Sequence, residues 1–275
     1  MRITVGHTPD ADDAFMFYGM LSGKVPSPGF EIDQVVEDIE GLNRRARDCE
    51  LDVTAVSVHA CAYIPGYTVL RSGGSFGLGY GPLVVARAAI DVRSLSSCRV
   101  AIPGRLTSAF LLLQLIIGRF DHVEMNFDRV PEAIRSGAVD AGLVIHEAQI
   151  THQQEGLTSI LDVGEWWDGA TGGLPVPLGI NVMKTGLGDD SIRRFDQSLR
   201  ESIRYGLEHS DDAVKYAMRY GRGNPEPLID KFVKMYVNPT TVDMGDAGEA
   251  SIRRMFEMAR ERGLVPDFDL RIAGP

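Results

Sequence analysis

Cysteine is scarce in this 275-residue chain, and the three present, Cys49, Cys61 and Cys98, form neither a Cys-x-x-Cys pair nor the spacing of a zinc site. An odd number of thiols leaves no complete disulfide framework, so reduced thiols in a cytosolic protein, and no metal, are expected. Cationic side chains are also in the minority. With 28 Lys and Arg against 38 Asp and Glu the formal net charge is -10, which argues against a nucleic-acid or anionic-membrane surface. Long apolar runs are missing as well. No uncharged stretch approaches the ~20 residues that span a bilayer, and the chain does not open on a basic segment followed by an apolar one. Neither a membrane span nor a signal peptide is therefore expected.

What the chain does have is a composition of 44% hydrophobic and 24% charged residues, that of a globular protein able to bury a core. Its length suits one large or two medium domains. Short apolar segments alternate with helical patterns, the signature of βα units around mainly parallel sheets and hence of an α/β fold. The first unit reads as strands at 2–6, 30–36, 52–57 and 68–70, with helices after Asp13 and Asp38 and a short one near His59. A second unit starts near Arg87, with strands at 99–102, 123–127, 141–145 and 158–162 and helices at 107–117 and from Pro131. The stretch from Pro175 to Val182 crosses back, and only helices follow Gly188. The expected organisation is a large discontinuous lobe of 1–87 and 183–275, a small lobe of 88–177 and a return crossover at 178–182. Such a double crossing permits hinge closure over a ligand cleft between the lobes.

Open α/β sheets bind ligands beyond the carboxyl ends of their strands. Gly142-Leu143-Val144-Ile145-His146-Glu147 reads as a buried strand ending on a histidine, so His146 stands where chemistry is done and carries the side-chain type most often used as a general base. It is the candidate general base; the competing reading is a strand-end histidine that bonds a loop. Pro103-Gly104-Arg105-Leu106-Thr107-Ser108-Ala109 leads into a helix whose first N–H groups lack helical partners. A carboxylate fits there, aided by a hydroxyl from Thr107 or Ser108, unless the segment is only a cap. Ala55-Val56-Ser57 ends a strand of the first unit, and Ser57 is either a capping hydroxyl or a ligand donor. No Gly-x-Ser-x-Gly frames it as a nucleophile. His59, two residues on, reads as packed.

Asp10, Asp12 and Asp13 fail the EF-hand pattern, which needs Glu at the twelfth position, where Leu21 stands. They read instead as the acidic start of the following helix. Gly77-Leu78-Gly79-Tyr80-Gly81 lacks the strand-to-helix context of a dinucleotide fingerprint, and its glycines suit a tight backbone path. Trp166 and Trp167 either wall a site for a ring or pack within a lobe.

Taken in order, several motifs combine: Thr8-Pro9-Asp10-Ala11-Asp12-Asp13-Ala14-Phe15-Met16-Phe17, Ser72-Gly73-Gly74 with Gly79-Tyr80-Gly81-Pro82, Pro103-Gly104-Arg105, Ile145-His146-Glu147 and Gly173-Leu174-Pro175-Val176-Pro177-Leu178-Gly179. The set resembles the 1,4-dihydroxy-6-naphthoate synthase family of the futalosine route to menaquinone, from the first strand to Tyr236-Val237-Asn238. The resemblance implies a two-lobed, periplasmic-binding-protein-like fold of type II. It also implies conversion of cyclic dehypoxanthinyl futalosine to the dihydroxynaphthoate with loss of a three-carbon fragment, a carbon–carbon lyase reaction without a cofactor. Carried onto this sequence, the family's base falls on His146, and its substrate contacts on Ala55, Val56 and Ser57 in one lobe and Ser108 and Ala109, beside Thr107, in the other. Where many relatives carry Ser-Pro-Cys-Pro-Asn-Asp-Thr-Phe, Asp13 and Phe15 match while Thr8, Asp10, Ala11, Asp12 and Ala14 depart. Ser108 stands where the family can carry Thr. Two other functions share the fold: a solute-binding receptor and the chorismate dehydratase of the same pathway. The lack of a secretion signal speaks against the first, and the His146-Glu147 pair against the second.

Overall fold

In the computed structural model, which describes residues 1–221 and 223–274, the chain begins with β1 (Arg2–His7), whose Ile3 and Val5 are buried. Helix α1 (Ala11–Leu21) follows, with Asp12 and Asp13 in its first turn where the helix dipole favours them. Strand β2 (Glu31–Val36) leads to α2 (Ile39–Arg47), whose start is fixed by Asp38 accepting from the N–H groups of Glu40 and Gly41, both at 3.1 Å. Arg44, Arg45 and Arg47 close the same helix at its negative end. Strands β3 (Val53–Ser57), β4 (Tyr67–Val69) and β5 (Ser75–Gly77) complete the first run.

The second run holds β6 (Leu83–Ala86), β7 (Val100–Ile102), α3 (Ser108–Ile117), β8 (His122–Glu124), α4 (Val130–Arg135), β9 (Ala141–Val144), α5 (Ala148–Thr151), β10 (Thr158–Asp162) and α6 (Val163–Thr171). Then β11 (Val176–Lys184) returns, and the helices α7 (Asp189–Glu208), α8 (Ser210–Ala217), α9 (Glu226–Tyr236), α10 (Pro239–Val242) and α11 (Gly245–Glu261) follow. Helix α1 packs against α7, α8 and α9. Among the described residues no helix is long and apolar enough to cross a membrane.

The strands form two sheets, one in the order β2-β1-β3-β11-β4 with β5 also on β11, the other β10-β6-β9-β7-β8. Alternation of strands and helices predicts mainly parallel sheets, and this expectation is corrected: both sheets are mixed. Strands β2-β1-β3 and β9-β7-β8 run parallel, whereas β11 lies antiparallel to β3 and β4, and β6 antiparallel to β9 and β10. The βα units generate the parallel cores; β6 and β11, which carry the chain into and out of the second run, enter with the opposite sense.

The chain divides into two units, Met1–Phe76 with Leu178–Glu249 and Asp267–Pro275, and Gly77–Pro177 with Ala250–Pro266. Leu83–Ala86, placed in the first lobe by the sequence pattern, is thus a strand of the second sheet. It is buried on both faces, with Leu83 and Val85 in one core with Ala101, Val130, Ile134 and Val144. Gly142 in β9 lets α4 approach this sheet, because a Cβ there would meet Val130 Cγ1 at 2.5 Å. The glycine-rich stretch is a close crossing of backbone, since a Cβ on Gly77 or Gly164 would run into the main chain of Tyr80.

Candidate functional site

In the first unit the parallel strands β2, β1 and β3 end side by side at Val36, His7 and Ser57. Ser57 is oriented from α2: its N–H donates to Asn43 Oδ1 at 2.8 Å, and Asn43 Nδ2 donates to Ser57 Oγ at 3.1 Å. A hydroxyl that receives one bond still has a proton to give, so Ser57 is set up as a donor at a strand end. Ala55 packs with Leu42 and Leu51 under α2, its carbonyl accepts from the Thr54 hydroxyl at 2.9 Å, and Val56 is fully buried. His59 lies in a buried 3-10 turn, its ring edge-on to Tyr63 at 5.5 Å.

The loop after β1 is also tightly built. Asp13 accepts from both the N–H and the hydroxyl of Thr8 at 2.8 Å. Burial pushes the Asp13 carboxyl above its ordinary range, and neighbouring His7 pulls it back toward ionisation. His7 Nδ1 stands 2.7 Å from the carbonyl of Thr8 and so donates, while its Nε2 accepts from Gln34 Nε2 at 2.5 Å. Asp12 accepts from Ser75 Oγ at 3.2 Å. Among the described residues no group of three or more His, Cys, Asp or Glu is placed to hold a metal ion. The cysteines are free thiols, and burial pushes Cys61 up to about 12, too high for a nucleophile at neutral pH.

In the second unit β7 and β9 are parallel neighbours, so the start of α3, beyond β7, and His146, beyond β9, occupy one sheet edge. Thr107 is the cap of α3: its hydroxyl accepts from Phe110 N–H at 3.3 Å and donates to the Gly104 carbonyl at 2.8 Å. That hydroxyl is therefore engaged, and the residues that open the helix after it are Ser108 and Ala109. They are the first two helical residues, whose N–H groups point out of the helix start. His146 adopts φ 55, in the left-handed region. A non-glycine residue there carries roughly 1–3 kcal/mol of strain and is concentrated at functional sites, although histidine tolerates the conformation better than most. The ring of Phe127 meets the imidazole edge-on, with centroids 4.6 Å apart.

Trp167 is fully buried and donates its indole N–H to the Pro175 carbonyl at 3.2 Å, so of the two readings of the tryptophan pair, packing holds for this one. Two residues escape the sequence reading. Asn43 orients Ser57, and its signal was a polar residue between Leu42 and Ala46 on the buried face of α2. Phe127 escapes because residues 123–127 read as one strand, whereas β8 ends at Glu124 and Phe127–Arg129 forms a 3-10 turn. The second unit thus places an imidazole and the open start of a helix on one sheet edge.

A family model described as menaquinone biosynthesis matches residues 3–261. A relative in Thermus thermophilus, named 1,4-dihydroxy-6-naphthoate synthase, is 40% identical over 264 residues, covering 96% of this chain and 96% of its own. The solved structure of protein AF1704 from Archaeoglobus fulgidus superposes with a TM-score of 0.92 at 46% identity, over 96% of this chain and 98% of that one. The Candida albicans CA3427 gene product, described as having the generic periplasmic binding protein fold, is 13% identical with a TM-score of 0.67 over 100% of this chain and 99% of that one, a likeness of fold.

Proposed function

We propose, from the premise that this chain belongs to the menaquinone biosynthesis family, that it is a 1,4-dihydroxy-6-naphthoate synthase acting on cyclic dehypoxanthinyl futalosine. The observation that carries the reading is the pairing on one sheet edge of His146, strained at φ 55, with the helix-start donors of Ser108 and Ala109. His146 takes the proton of a hydroxyl on the sugar-derived part of the substrate. The alkoxide electron pair collapses to a carbonyl as the adjacent carbon–carbon bond breaks, and the electron pair of that bond stays on the departing carbon, which takes back a proton. The spiro-linked ring opens, a three-carbon fragment leaves, and an aromatic product remains. The N–H groups of Ser108 and Ala109, with the Ser108 hydroxyl, hold a carboxylate or developing oxyanion. On the first unit, the Ser57 hydroxyl held by Asn43 and the backbone of Ala55 and Val56 supply further substrate contacts.

Incubating the purified protein with cyclic dehypoxanthinyl futalosine and following product by chromatography tests the assignment. Formation of dihydroxynaphthoate with a three-carbon fragment in equal amount is expected. Binding without turnover would instead make the chain a receptor, and turnover of chorismate alone would make it the dehydratase of the pathway.

A further inference from the structure

We infer that Phe127 is a positioning residue for the reaction, holding the imidazole of His146 in its working orientation. The inference rests on the reading of His146 as the base. Three observations carry it.

The backbone of His146 sits at φ 55, outside the strand geometry that ends at Val144, so β9 itself no longer dictates where the side chain points. The last torsion of a histidine is broad and roughly two-fold, so its own rotamer preference does not fix the ring plane either. A contact that the structure supplies against that plane is Phe127, at a centroid distance of 4.6 Å and an interplanar angle of 66°. This edge-to-face geometry lies within the favourable range for aromatic pairs and resists rotation of either ring.

Phe127 is itself well placed to be rigid. It opens the 3-10 turn Phe127–Arg129, which runs directly into α4, and α4 is anchored by Val130 and Ile134 in the core that includes Val144. One hydrophobic core therefore fixes both the end of β9 and the turn that carries Phe127. A base displaced by a fraction of an ångström or tilted away from the substrate hydroxyl loses rate without losing affinity, because proton transfer depends on alignment more steeply than binding does.

The test is a double-substitution cycle on the full chain, reading kcat, KM and thermal midpoint for Phe127→Leu, Phe127→Tyr, His146→Asn and the combination Phe127→Leu with His146→Asn. Leucine keeps an apolar side chain but removes the ring. Phe127→Leu is expected to lower kcat about 10-fold to 100-fold with KM within about twofold, Phe127→Tyr to restore most of the rate, and Phe127→Leu to have no further effect once His146 is Asn. Unchanged kcat in Phe127→Leu, failure of Phe127→Tyr to recover it, or an equal loss in both backgrounds would overturn the positioning role. Near-normal turnover in His146→Asn overturns the underlying assignment of the base, a result distinct from each of those.

Discussion

Asp52 shows how one carboxylate can tie together three strands. It accepts from the N–H of Thr4 at 3.0 Å, from the Thr4 hydroxyl at 3.1 Å and from Lys184 Nζ at 3.1 Å, joining β1 and β11 at the foot of β3. Burial opposes its ionisation, but the Thr4 N–H and Lys184 outweigh burial and hold the carboxyl below its ordinary range. A depressed folded-state pKa adds stability above the unfolded value of about 4, and that stability fades as pH falls through the folded value. Asp52→Asn should therefore cost about 1 kcal/mol at pH 7, a modest figure because the pair is partly solvated. The gap in thermal midpoint from the parent should narrow as unfolding is repeated below about pH 4; a gap independent of pH would contradict the account. At the site, Ser108→Ala removes one hydrogen bond to an anionic oxygen, about 1.5–3 kcal/mol, so kcat/KM should fall roughly 10-fold to 100-fold. The sequence makes Ser108 and Ser57 visible as polar residues at element ends. It does not reveal Asn43 or Phe127, because their roles depend on which neighbour they reach across the fold.

At the scale of elements, α3 depends on its cap. Thr107 both accepts from Phe110 N–H and donates to the Gly104 carbonyl, so Thr107→Ala takes the hydroxyl from Phe110 N–H and leaves the Gly104 carbonyl with the 3.4 Å bond from the residue 107 N–H. A loss of about 1–2 kcal/mol is expected, or roughly 2–6 °C in thermal midpoint for a chain of this size. Thr107→Ser should recover most of it in the same melting experiment. If Thr107→Ala melts like the parent, the cap is not what fixes the start of α3.

Elements with a local cause are the ones that could be read from sequence. Helix α2 has Asp38 at its start and arginines at its end, and β3 and β9 are short apolar runs between polar residues. Strand β5 was hidden within a glycine-rich stretch, because its pairing with β11 comes from a segment about a hundred residues away. The antiparallel sense of β6 and β11 was likewise beyond the pattern, since apolar periodicity reports burial and carries no direction.

For the molecule as a whole, the two sheets follow from two runs of βα units, and the return strand β11 is what makes the first unit discontinuous. That plan belongs to a fold that elsewhere binds solutes, so reactivity must reside in groups added to it. His146 is the group on which the proposed reaction turns. Its φ of 55 makes asparagine the informative replacement, because asparagine also accepts the left-handed region and so preserves the backbone while removing the base. The decisive measurement is single-turnover conversion of cyclic dehypoxanthinyl futalosine by His146→Asn beside the parent, with substrate affinity and melting temperature taken on the same preparations. The account predicts a rate lowered roughly 100-fold or more at near-parental affinity and stability; a rate per folded molecule close to the parent's would contradict it.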